Sequence, residues 1–222
     1  MPGSAAVHEL LLRLEAEGFT AAPRFLGLDD QGREILSYIE GVCGNDGVVQ
    51  GVERGAEVWA LVADEDGLRA FARLLRHFHD ATGGSWCHGD YTPWNVVWVN
   101  REPVGIIDWD YAVPGPPMDD VAYALRWCIP FADDEECLRW RRFDAPPDRR
   151  RRLAIFAEAY GLPGPEGLFA AAIDRQRRTI EHVRELAQQG IQPQVDWVAE
   201  GALDADQAII AWSLDHRELF ED

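Results

Sequence analysis

A mixed α/β (α+β) fold, with a small N-terminal part and a larger, mainly helical C-terminal part, follows from three patterns in this chain. Helical stripes open the sequence and fill most of it after residue 130. Two short strand pairs stand apart from those stripes, one within 24–39 and one within 95–108. Between the strand pairs, glycines at 41, 44, 47 and 51 mark a connection.

Taken in order, Val7, Leu10, Leu11 and Leu14 repeat at i, i+3, i+4, i+7 and predict a helix ending at Gly18. Arg24 to Leu28 and Glu34 to Ile39 read as a strand pair around Asp29-Asp30-Gln31-Gly32. The four glycines that follow do not make a phosphate loop, because no helix start comes directly after them. A flexible connection is the better reading. Asn95 to Val99 and Val104 to Asp108 form the second pair, with Asn100-Arg101-Glu102-Pro103 as a four-residue turn. Pairing Val99 with Val104 in antiparallel register brings Asn95 opposite Asp108.

Beyond residue 130, Asp133 to Glu136 reads as a solvated helix start or as an acidic edge of a substrate cleft. Leu153, Phe156, Ala157 and Tyr160 form a stripe that Gly161 stops, with Asp148 as N-cap. Arg149 to Arg152 then occupy a helix start, where the dipole disfavours cations. Seven arginines lie between 139 and 152; they read as a solvated face, with an anion or an acidic surface of the same protein as the other reading. Phe169 to Ala187 marks a long helix ending at Gly190, and Val195 to Leu214 a final helix with Trp197 and Trp212.

The chemistry is concentrated in His88-Gly89-Asp90-Tyr91-Thr92-Pro93-Trp94-Asn95 and Ile106-Ile107-Asp108-Trp109-Asp110. Carboxylates and a carboxamide converge there on one loop and one hairpin. Mg²⁺ prefers such oxygen ligands and shares them with substrate phosphates. The set therefore suits phosphoryl transfer. Ordinary turn chemistry is the competing reading, since Asp and Asn are common at loop ends.

These motifs, in this order, resemble the catalytic core of the aminoglycoside phosphotransferase and choline kinase-like superfamily, which shares the protein-kinase-like fold. Gly115-Pro116-Pro117-Met118-Asp119-Asp120-Val121-Ala122 resembles its downstream segment, and Leu68 to Thr82 the helix before its catalytic loop. The likeness covers roughly residues 7–128. It implies a two-lobe fold: a reduced N-lobe over 1–41, of one helix and a strand pair, and a C-lobe over 42–222. That C-lobe holds the catalytic loop, the metal-binding hairpin and a helical substrate region. Asp90 would be the catalytic base. Asn95 and Asp108 would hold Mg²⁺. His88, Asp110 and Asp120 would support them. A hinge near Glu40 and Gly41 would touch the nucleotide, ATP or GTP. The implied reaction moves the γ-phosphoryl group to a hydroxyl of a small molecule, with an aminoglycoside-like cationic antibiotic as one acceptor.

The chain departs from the pattern in its N-lobe. All 21 basic residues are arginine, so the family's phosphate-contacting lysine has no counterpart. Glu9 matches the glutamate that normally pairs with it. No G-x-G-x-x-G occurs. A naturally short N-lobe with an arginine on the phosphates, a chain that starts late, and a scaffold without catalysis all fit this. A non-catalytic pseudokinase-like binding module is thus the main rival function, and a metal-dependent phosphoester hydrolase a second.

Composition bounds the partners. A net charge of −18 excludes a nucleic-acid backbone as the expected partner and is compatible with cationic substrates. Four cysteines, at 43, 87, 128 and 137, lack metal-type spacing, and a reduced, cytoplasmic protein is expected. No apolar run reaches the length of a membrane span, and no signal peptide is visible. Trp86, Trp94, Trp98 and Trp109 crowd the motifs; core packing is expected of them, with a substrate wall as the alternative.

Overall fold

The computed structural model describes residues 4–44, 48–49, 52–53 and 56–221. Its architecture is mixed α/β, with a predominance of helix. Helix α1 (Ser4–Ala16) buries the predicted stripe of Val7, Leu10, Leu11 and Leu14. Strands β1 (Phe25–Leu28) and β2 (Glu34–Leu36) pair antiparallel. The Asp29 carboxylate fixes their turn by accepting the amides of Gln31 and Arg33. The second strand stops at Leu36 instead of Ile39. The chain then crosses to the C-terminal part, where Val42 and Trp98 exchange two backbone hydrogen bonds of 2.9 Å.

The expected flexible connection contains a short hairpin, β3 (Val48–Val49) with β4 (Val52–Glu53). Gly47 and Gly51 lie outside the described residues. Helix α2 (Ala56–Ala63) leads into α3 (Glu65–Ala81), whose cap is the Asp64 carboxylate on the Gly67 amide. Strand β5 (Trp86–Cys87) precedes the hairpin of β6 (Val96–Val99) and β7 (Glu102–Ile106). Strand β8 (Val113–Pro114) returns to pair with β5.

The β6–β7 register differs from the expected one. Val99 pairs with Glu102, and Val96 with Ile106, with an irregularity between Val97 and Trp98. The turn has two residues, Asn100 and Arg101, both at positive φ (52° and 69°). Such a turn follows the natural strand twist and needs no four-residue loop. Pro103 has no N–H to give to a ladder, which fits the irregularity opposite Trp98. Asn95 consequently faces Ile107, whose amide donates to its carbonyl at 2.9 Å.

Helices α4 (Pro117–Cys128), α5 (Asp134–Trp140), α6 (Arg149–Tyr160) and α7 (Leu168–Gln188) build the C-terminal part. The expected final helix is two, α8 (Gln194–Ala199) and α9 (Ala202–Asp215). Gly201, at φ 83°, breaks the run. Among the described residues no helix is long and apolar enough to cross a membrane. Helix α3 packs mainly on α6, and α4 on α7.

Of the arginines at the start of α6, Arg150 and Arg151 are exposed, whereas Arg149 and Arg152 are buried. Arg152 is buried and donates to the carbonyls of Val62, Ala63 and Cys128 at 2.7–3.2 Å. Those carbonyls belong to the C-terminal turns of α2 and α4, where acceptors lack helical partners and carry partial negative charge. Arg149 serves the carbonyls of Pro130 and Ala132 and pairs with Asp134. Arg151 makes a two-pronged pair with Glu65 on α3. The unfavourable position on α6 is thus offset by two other helix ends.

Replacing Arg152 with methionine leaves those three carbonyls without their donor. The expected loss is about 3 kcal/mol or more in urea unfolding, since each unsatisfied buried group costs about 1–3 kcal/mol. Arg177→Ala, which removes only an exposed pair with Asp174, should stay within about 0.5 kcal/mol. Equal losses in the two variants would defeat this account.

Candidate active site

The loop that carries Asp90 is held from below by Asp120, in the first turns of α4. Its carboxylate accepts the His88 amide at 2.6 Å and the Gly89 amide at 2.8 Å. The same group accepts from His79 Nε2 at 3.1 Å, and His79 Nδ1 meets the Tyr160 hydroxyl at 2.7 Å. Asp120 is 1% exposed. Burial of a carboxylate is tolerated here because every contact is a donor and the helix N-terminus lies beside it. Burial also pushes the Tyr160 phenol up to about 12. Gly89 sits at φ 83°, and a Cβ there would come 2.2 Å from the Tyr111 carbonyl oxygen. Only glycine lets the loop pass this point.

His88 is fully buried and bridges the two motifs. Its Nε2 donates to the Ile107 carbonyl at 3.1 Å, and its Nδ1 accepts the Asp90 amide at 3.3 Å. This pattern fixes the neutral tautomer with the proton on Nε2. Burial pushes its pKa down to about 4. Ile107 is therefore held at both ends, by Asn95 through its amide and by His88 through its carbonyl. Trp109 Nε1 adds a 2.9 Å bond to the Ile106 carbonyl. These ties hold Asp108 at φ 64°, a conformation few non-glycine residues take.

Asp90 receives two donors, Tyr123 OH on Oδ1 at 2.7 Å and Asn95 Nδ2 on Oδ2 at 2.8 Å. Asn95 Nδ2 also reaches the Asp90 carbonyl at 3.0 Å. With its nitrogen so occupied, the buried Asn95 Oδ1 has no hydrogen-bond partner among the described residues. Burial raises the pKa of Asp90 most, against lowering by the Tyr123 and Asn95 donors. Asp108 is raised by burial and then by the charge of Asp110, which is exposed.

A divalent cation fits these residues. An orphaned carbonyl-type oxygen beside a carboxylate offers two hard oxygen ligands, and Mg²⁺ takes few protein ligands and fills the rest with phosphate and water. Among the described residues no cluster of three or more His, Cys, Asp or Glu could hold a metal.

Beside Asp108 lies a cavity of about 290 Å³, walled by Leu11, Leu36, Tyr38, Ile39, Cys43 and Val97 among others. Gly41 is part of this wall, at φ 150°; a Cβ there would come 2.5 Å from Val97 Cγ1. Its described lining contains no arginine, so no guanidinium replaces the missing lysine there. Glu9 is exposed on α1. Trp98 and Trp109 are buried in the core, whereas Trp94 meets Trp59 and Trp127 at ring distances of 5.5 and 4.5 Å. Sequence reasoning missed Tyr123 and His79 as partners of the motif aspartates. Tyr123 lies three residues past Asp120 in the apolar stretch, where nothing local marks its hydroxyl.

The buried neutral His88 predicts acid sensitivity. In the unfolded chain it protonates near pH 6.5, and in the folded one near 4. The unfolded state then binds more protons between those values, so stability falls as pH drops through that window and is unaffected above it. The loss attributable to His88 is on the order of 3 kcal/mol by pH 4. His88→Gln should be less stable at pH 7 but flatter between pH 6.5 and 4 in urea titrations. A variant with the wild-type slope would refute the assignment.

The phosphotransferase enzyme family model matches residues 4–168. The trifolitoxin immunity protein of Rhizobium leguminosarum bv. trifolii is 30% identical over 186 residues, covering 72% of this chain. The chain spans 65% of that relative's length. A solved structure of a candidate aminoglycoside phosphotransferase from Ralstonia eutropha is 14% identical with a TM-score of 0.49, over 96% of this chain and 84% of that one. The matched residues 4–168 contain the Asp90 loop, the Asn95–Asp108 pair and Asp120, and the chain belongs to the phosphotransferase enzyme family.

Proposed function

We propose that this protein transfers the γ-phosphoryl group of ATP or GTP to a hydroxyl of a small molecule, with Asp90 as base. The observation that carries this reading is the divided use of Asn95: its nitrogen serves Asp90, on which the charge of Asp108 also bears, while its buried oxygen has no partner among the described residues. Asn95 and Asp108 would hold Mg²⁺, which supplies charge neutralisation for the phosphates. Residues 1–41 act as a reduced N-lobe and 42–222 as the C-lobe, and the cavity against Tyr38 to Cys43 receives the nucleotide.

In the reaction Asp90 takes the proton of the acceptor hydroxyl. The acceptor oxygen bonds to the γ-phosphorus, the bond to the bridging oxygen breaks, and the nucleoside diphosphate leaves. Tyr123 and Asn95 each occupy one Asp90 oxygen, so the carboxylate is oriented before the acceptor arrives. An ionised carboxylate accepts about four hydrogen bonds, which leaves room for the acceptor. Tyr111, half exposed, feels the charges of Asp90, Asp108 and Asp110.

A second reading, a nucleotide-binding module without turnover, draws support from the arginine-free cavity wall. Calorimetric titration of ATP and GTP, with and without Mg²⁺, separates the two. Metal-dependent binding that Asp108→Asn abolishes is expected. Asp90→Ala should keep that binding and lose about 10²–10⁴ in turnover. Binding in wild type that is insensitive to Asp108→Asn would remove the metal assignment. Binding without any turnover, in wild type and Asp90→Ala alike, would favour the module.

A further inference from the structure

The metal side and the acceptor side of Asp90 differ in charge. Toward β7 stand Asp108 and Asp110. Toward α4 and α7 stand donors. Arg175, on α7, lies over the Tyr123 ring with its guanidinium carbon 4.8 Å from the centroid. Tyr123 in turn donates to Asp90. Arg175 hydrogen-bonds Thr179 on its own helix, and among the described residues no carboxylate lies within ion-pair distance of it. Its neighbours on the same helix are already matched: Arg177 pairs with Asp174, and Arg178 reaches Asp119. The charge of Arg175 bears on Asp90, Tyr123 and Cys87.

A second observation points the same way. Trp127 is one helical turn beyond Tyr123, with ring centroids 6.2 Å apart. Its buried indole N–H has no acceptor among the described residues. Arg126 beside it is already matched by Asp206. A half-buried guanidinium with no ion pair and an indole donor with no acceptor among the described residues, both packed against Tyr123, leave donors in excess beside Asp90. Buried or half-buried donors in that state favour an oxyanion as occupant.

We propose that Arg175 binds an oxyanionic group of the acceptor, a carboxylate or a phosphate, next to the hydroxyl that Asp90 deprotonates. The substrate class becomes a hydroxy compound that is anionic or zwitterionic near its reacting end, in place of a polycation. The inference rests on the phosphotransfer reading for the word acceptor, while the anion site itself is independent of it. Arg175 is a specificity residue here: its planar fork matches an oxyanion, which an ammonium does less well.

The test is a proton–nitrogen NMR titration of the full chain with inorganic phosphate and, separately, acetate. The reporter is the Trp127 indole resonance, assigned by Trp127→Phe. Wild type should show a saturable shift. Arg175→Gln should weaken it about 10- to 100-fold, the loss of hydrogen bonds to a charged group. Arg175→Lys should fall between, and thermal melting checks that both variants fold. Response to phosphate alone assigns the site to phosphate esters, and response to both anions assigns it to carboxylates as well. Shifts that do not saturate, or that are equal in wild type and Arg175→Gln, overturn the proposal and mean an adventitious ion only.

A second arm compares glycerate with glycerol as acceptors with Mg²⁺ and ATP or GTP. A preference for glycerate that Arg175→Gln removes extends the support to turnover, and a preference for glycerol opposes it. The nucleotide titration with Asp108→Asn is read separately. Nucleotide binding without an Arg175-dependent anion response sinks this inference and spares the phosphotransfer reading. An anion response without nucleotide binding does the reverse.

Discussion

Asp120, on α4, gathers donors from two segments that are far apart from it in the chain: the end of α3 through His79, and the Asp90 loop through the amides of His88 and Gly89. Two of those donors are backbone amides, whose positions set where Asp90 begins. A loop of this length has many conformations, and fixing each residue costs roughly 1–2 kcal/mol of entropy. One carboxylate with three donors removes much of that freedom. His88 then carries the constraint across to Ile107, so the loop and the hairpin are set against each other by a single chain of hydrogen bonds. Asp90 and Asp108 share one anchor.

A different solution operates away from the site. With no lysine available, the C-terminal part uses guanidinium forks on helix-end carbonyls. Arg152 alone ties α6 to the ends of α2 and α4. Burial lowers its pKa to about 10, so it stays charged at neutral pH. An ammonium has donors too, but no planar fork to span three carbonyls. The same residue type stands half-buried at Arg175, over the Tyr123 ring. One side chain thus serves as scaffold in one place and as a candidate recognition group in another.

The helices were legible because their apolar spacing is local. The stripe from Val7 to Leu14, the Asp148 cap and the Gly161 stop all sit where the sequence puts them. The hairpin was legible as a pair but not in register, because the left-handed conformations of Asn100 and Arg101 are not declared by those residue types. The final helix was over-extended across Gly201, since isolated glycines do not always break helices. Of the site, the clustering of Asp90, Asn95 and Asp108 followed from two adjacent segments. The Tyr123 and His79 contacts did not, because they join residues 33 and 41 positions from their partners. Arg149 and Arg152, expected on a solvated face, are buried for a related reason: helix-dipole reasoning sees the host helix and not the carbonyls packed onto it.

Asp108 adds a last consequence. Its backbone is left-handed, its carboxylate is partly desolvated, and Asp110 repels it. Each of these opposes folding. Asparagine accepts the same backbone conformation without the charge, and glycine without the steric cost. Considered as scaffold only, the chain gains by losing this carboxylate, so drift that preserved nothing but the fold would run downhill through position 108. Keeping an acid there sets stability against use, a trade-off that a merely structural turn has no reason to maintain.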